Sequence, residues 1–273
     1  MMSEADKVKL YETLYKDLVS LASVAGVTED DLQKYFAPKN DPAKNNLYRL
    51  CVSLQNSGVM RNSIKFNDKG YEENIKTVLC GFDAGTAANK YAKWEDIYNA
   101  IIDTGISDNG SREKRETNWG KYCRGLYGGL NFLINKNGEN EINKLVTTTE
   151  LTDENIGKVR KISEEIHGLG FALTCDWLKE CGCAWLAKPD VHIKEVVKHL
   201  TGKNTVKDKD VLQEMFLWTD AVNNSKDKNG SVDPNLTAYK LDKIIWLLCT
   251  GEFYLDNKRI GREAIYHKID MNK

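Results

Sequence analysis

Two stretches of the chain carry residue types whose spacing could do chemistry. Residues 155–182 read NIGKVRKISEEIHGLGFALTCDWLKECG. An amphipathic run with Val159, Ile162 and Ile166 meets His167-Gly168-Leu169-Gly170, and a second helical run then buries Leu173, Trp177 and Leu178. Glycines permit a tight hairpin and close backbone approach. The hairpin and the first turn of the next helix present N–H groups that no helical carbonyl takes up. Such groups can hold a phosphate without any side chain. The second stretch is Trp185-Leu186-Ala187-Lys188-Pro189-Asp190-Val191-His192-Ile193. Proline ends one segment, and Asp190 is placed as the N-cap of a helix over 191–200. A carboxylate held there stays ionised. It can stabilise positive charge developing on a sugar and orient an attacking water.

Together these stretches resemble the helix-hairpin-helix (HhH-GPD) superfamily of DNA glycosylases. There, apolar–Pro–Gly–apolar–Gly is followed after an interval by Asp–Thr/Val–His–apolar. Here Gly168 and Asp190 lie 22 positions apart, and Asp190-Val191-His192 is similar to the 8-oxoguanine branch. The segment Leu50-Cys51-Val52-Ser53-Leu54-Gln55-Asn56-Ser57 looks like the family's Leu-Ser-x-Gln-x element, whose glutamine enters the DNA stack.

The resemblance implies a mainly α, two-lobed fold with its cleft between the lobes. It implies excision of a damaged or modified base from double-stranded DNA, with Asp190 as the catalytic carboxylate. His167, Gly168, Leu169, Gly170 and Ala172 would form the phosphate-binding hairpin. Gln55, Lys188, His192 and Lys194 would touch DNA, and Trp185 and Trp218 would line the pocket of the flipped base. Bifunctional members carry a lysine two positions after the second hairpin glycine. Ala172 stands there, so the expectation is a monofunctional enzyme that uses water and makes no strand cut. The hairpin carbonyls could hold K+ or Na+. Only Cys249 follows Asp190, so the four-cysteine iron–sulfur loop of some members is not expected.

Each of these residues also has a plainer reading. The glycines could merely close a turn, and Asp190 could merely cap its helix. The tryptophans sit among apolar neighbours at helical spacing and suit a core. Lys188, Lys194, Lys198 and Lys203 could form a phosphate-neutralising patch or a solvated face. Cys175, Cys181 and Cys183 have a spacing that suits zinc poorly, so no metal site is expected.

The elements that must position these residues are helices. Apolar residues recur at i, i+3, i+4 and i+7 in five stripes. These are Val8-Leu10-Leu14-Leu18-Leu21, Leu47-Leu50-Cys51-Leu54, Ile75-Val78-Leu79, Trp94-Ile97-Ile101-Ile102 and Trp119-Tyr122-Leu126-Leu130-Leu133. Asp41-Pro42 and Thr152-Asp153-Glu154 read as helix starts. The expected division is an N-terminal helical extension over 1–41, the hairpin-bearing core over 42–222, and C-terminal helices over 223–273.

The chain has 273 residues with a formal net charge of −1, so DNA binding would need a local basic face rather than a global field. Seven cysteines in irregular spacing, a charged N-terminus and no long apolar run point to a cytoplasmic, membrane-free protein, nucleoid-associated if bacterial. A monomer is expected. Two other functions fit the same residues: a non-catalytic hairpin DNA-binding protein, and an all-α interaction module.

Overall fold

The computed structural model describes residues 2–37, 44–58, 60–66, 71–108, 113–227, 230–231, 233–253, 258–263 and 265–271. The expected helix start at Asp41-Pro42 lies outside them. The fold is mainly helical. In chain order the helices are α1 (Glu4–Val24), α2 (Glu29–Phe36), α3 (Asn46–Gln55), α4 (Arg61–Ile64) and α5 (Tyr71–Val78). They continue with α6 (Ala84–Lys90), α7 (Trp94–Ile102), α8 (Asn118–Asn135), α9 (Gly138–Val146) and α10 (Asp153–Glu165). The last five are α11 (Phe171–Glu180), α12 (Val191–Thr201), α13 (Asp208–Asn224), α14 (Ala238–Thr250) and α15 (Ile265–Met271). Two antiparallel two-residue ribbons are the strands of the described residues: β1 (Lys226–Asp227) with β2 (Gly230–Ser231), and β3 (Glu252–Phe253) with β4 (Lys258–Arg259).

The chain forms two compact units. One comprises Met1–Pro38, Thr149–Leu151 and Ala184–Lys273; the other comprises Lys39–Thr148 and Thr152–Cys183. These boundaries differ from the division expected at 41/42 and 222/223. The reason is the apolar stripe of α1. Leu10, Leu14, Leu18 and Ala22 are fully buried, and they share a core with Met215 and Trp218 of α13 and with Leu241, Ile244, Ile245 and Leu248 of α14. Ile193, Val196, Val197 and Leu200 of α12 complete it. Each such aliphatic side chain contributes roughly 1.5–3 kcal/mol on burial. The N-terminal helix is therefore part of a core with the C-terminal third, not an extension.

The second unit is built around α8. Thr117 caps it by accepting from the Gly120 N–H, and Trp119, Tyr122, Leu126, Leu130 and Leu133 are buried along it. Its glycines set how near its neighbours come. A Cβ on Gly129 would stand 2.0 Å from Leu50 Cδ2, and one on Gly125 would stand 2.7 Å from Leu54 Cδ2. Two polar anchors fix α3 within this unit. The Tyr122 hydroxyl donates to the Cys51 carbonyl at 3.1 Å, and the Trp177 indole of α11 donates to the Asn46 carbonyl at 2.9 Å.

Candidate functional site

The hairpin lies in the second unit. Thr152 caps α10, with Asp153 and Glu154 in its first turn, as the sequence indicates. The helix ends at Ile166, whose backbone is extended. A tight turn follows, in which the Leu169 N–H donates to the Ile166 carbonyl at 3.1 Å. Its third residue, Gly168, has φ +78, a conformation that glycine adopts at no steric cost and a side chain resists. Gly170 has φ −64 and starts α11 with no side-chain cap. The first helical bond is Thr174 N–H to the Gly170 carbonyl at 2.9 Å. The Phe171, Ala172 and Leu173 N–H groups thus form the open end of the helix, where the dipole favours an anion.

Ile166 and Leu169 are buried and anchor the turn, while His167, Gly168 and Gly170 are exposed. The Arg160 guanidinium lies 4.8 Å from the Phe171 ring centre and ties the two helices together. The hairpin backs onto α8 at Gly128, where a Cβ would stand 3.4 Å from the His167 nitrogen. Partial desolvation, with the Arg124 guanidinium second, holds the His167 imidazole below the ordinary histidine value.

Asp190 lies in the other unit, at the N-cap of α12. Its Oδ1 accepts from the His192 and Ile193 N–H groups at 3.0 and 3.1 Å. The loop before it is bound to α14. The Ala184 carbonyl accepts from the Tyr239 N–H at 3.0 Å, and the Lys188 N–H donates to Asp242 Oδ2 at 2.8 Å. The Asp190 N–H then turns back to the Lys188 carbonyl at 2.8 Å across Pro189. Asp242 is almost fully buried. It was not among the candidates, although a charged Asp242-Lys243 pair inside the apolar run of α14 was a visible signal. Burial pushes the Cys249 thiol up to about 11 and the Tyr266 phenol up to about 12, and the Asp190 charge adds to both. Asp190 is thus a rigid carboxylate beside a thiol and a phenol that both stay protonated at neutral pH.

Several expected contacts are corrected by the packing. Gln55 ends α3 as expected, but its side chain is buried and its Oε1 accepts from the Phe66 N–H at 2.9 Å, so it is occupied inside the unit. Trp218 is fully buried and its indole N–H donates to the Lys7 carbonyl at 2.8 Å. It is a core residue and offers no face to a base. Trp185 is also buried. The lysine patch is largely neutralised: Lys194 pairs with Asp208 at 2.6 Å, Lys198 with Glu195 at 2.7 Å and Lys203 with Asp210 at 2.8 Å. His192 and Lys188 are half-buried. Cys175 and Cys183 are buried thiols, and the described residues hold no group of three or more histidine, cysteine or acidic side chains arranged for a metal. No described helix is long and apolar enough to cross a membrane.

Comparison with family models, with curated proteins and with solved structures found no match.

Proposed function

We propose that this chain is a monofunctional DNA glycosylase on a two-lobed HhH-GPD fold. The hairpin at 167–170 and the open N-terminus of α11 grip a phosphate of double-stranded DNA. Asp190 stabilises the oxocarbenium-like sugar as the bond to a damaged or modified base breaks, and water is the nucleophile. The protein acts as a monomer on cytoplasmic DNA. The observation that carries this reading is Asp190 itself: a carboxylate fixed by two backbone N–H groups, 22 residues after Gly168 of a hairpin whose following helix starts without a side-chain cap. A specific observation favours an all-α interaction module as the second reading. The lysines that should meet phosphates are paired with acids, and the net charge is −1.

The test uses duplexes bearing 8-oxoguanine, uracil, hypoxanthine or an alkylated base, treated with alkali after incubation. Wild type should leave alkali-labile sites in one of them. Asp190→Asn should lower that rate by about 10²–10³-fold. Asparagine caps a helix as well as aspartate does, so the fold should survive and the loss would report charge. Borohydride should trap no adduct with abasic DNA, because Ala172 stands where a lyase lysine would be. Salt-sensitive DNA binding without excision of any base would leave a non-catalytic binder, and no DNA binding at low salt would leave the interaction module.

A further inference from the structure

A groove of about 430 Å³ opens beside the hairpin within the second unit. Trp94 of α7 and Tyr127 of α8 give it aromatic walls, and Arg124, Asn131, Lys136 and His167 give it polar ones. We propose that it holds one unpaired nucleotide of a DNA strand whose phosphate lies on the hairpin; the proposal rests on the nucleic-acid reading of that hairpin.

The size suits a small organic group and excludes a base pair held in a duplex. Aromatic side chains take any base, because every base has a π-face. The charge balance favours an anionic ligand: Arg124 and Lys136 face the groove against the single acid Glu165. Arg124 supplies a further observation. Its Nη2 donates to the Arg115 carbonyl at 3.0 Å, but its Nε is buried without a hydrogen-bond partner. The Nη2 bond fixes the guanidinium plane, and the remaining Nη hydrogens are the donors of this side chain that can meet a phosphate or base acceptor in the groove. Asn131 Oδ1 accepts from Asn135 at 2.9 Å, and the Asn131 amide nitrogen is a donor suited to a base edge. Gly128 matters because it has no side chain. It lines the groove together with His167, and there α8 packs close against the His167 backbone at the start of the hairpin.

The experiment measures binding of the full chain to fluorescein-labelled single-stranded dT12, to a duplex of equal length and to U12, by anisotropy at low salt. The variants are Trp94→Leu and, at an exposed position, Lys136→Gln, each checked for folding by thermal melting. The expected result is that dT12 binds, that Trp94→Leu weakens it about tenfold through loss of one stack, and that Lys136→Gln weakens it a few-fold, while duplex binding is unchanged. If Trp94→Leu fails to fold, Lys136→Gln decides. Binding of dT12 that is insensitive to the variants, or tight binding of U12 without dT12, would overturn the groove assignment. Duplex binding with no single-strand binding would also overturn it, yet leave the hairpin reading intact. Binding of neither strand form would overturn both.

Discussion

Lys7 is a cation that the fold keeps almost dry. Its Nζ sits 2.6 Å from Glu214 Oε1, and the two side chains are only 6% and 8% exposed. Its backbone carbonyl accepts the Trp218 indole N–H. A buried pair of this kind adds little net stability, but removing one partner strands a charge. Lys7→Met should therefore cost about 3–5 kcal/mol in chemical denaturation. The double change Lys7→Met with Glu214→Met should recover most of that loss. If the double variant is no more stable than the single one, the stranded charge is not what costs. Asp190 is governed by a different balance. It is half-exposed, and its Oδ1 accepts from two backbone N–H groups rather than from a buried cation.

At the scale of elements, α8 is the organiser of its unit because of where it lacks side chains. Gly129 lies under Leu50, and Gly128 lies under the hairpin. Gly129→Ala would place a methyl 2.0 Å from Leu50 Cδ2. Leu50 is fully buried and cannot simply turn away, so overpacking should cost about 1–3 kcal/mol. Gly157 in α10 is the opposite case: it is exposed, and a Cβ there meets nothing within 4 Å. Gly157→Ala should stabilise the unit by about 0.5–1 kcal/mol through helix propensity alone. Thermal or denaturant melts of the two variants should move in opposite directions; a shared direction would refute the packing account of α8. The five apolar stripes and the caps at Thr152 and Asp190 were legible in the sequence, since side-chain periodicity and cap chemistry are local. The role of the α8 glycines was not legible, because a glycine shows its purpose only once the partner that presses on it is known.

For the whole molecule, the lowered carboxylates set the response to acid. The Thr28 hydroxyl and N–H hold Asp31 below the usual carboxylate range, and the Thr86 N–H does the same for Asp83. Lys144, Lys158, Glu195's partner Lys198 and Lys203 likewise hold Glu141, Glu154, Glu195 and Asp210 low. The unfolded chain therefore binds these protons more readily than the folded one. The stability they contribute is present above the ordinary carboxylate values of about 4 and is lost as pH falls through the lowered ones. Melting temperature should hold between pH 7 and 5.5 and fall by pH 3. A melting temperature that rises below pH 4 would contradict this.

The sequence by itself determined the helical class, most helix positions, the turn at Gly168 and the capping role of Asp190. Each depends on residues within one or two turns of one another. Tertiary structure alone decided that α1 shares a core with α13 and α14, that Gln55 and Trp218 are occupied indoors, and that Lys194, Lys198 and Lys203 meet acids before they could meet phosphate. It alone placed Asp242 beneath the loop that carries Asp190, and Trp94, Arg124 and Lys136 around one groove. These outcomes depend on which apolar faces find each other across tens to hundreds of residues. A charge or a ring has the same letter in the sequence whether its partner is water, a carboxylate or a base.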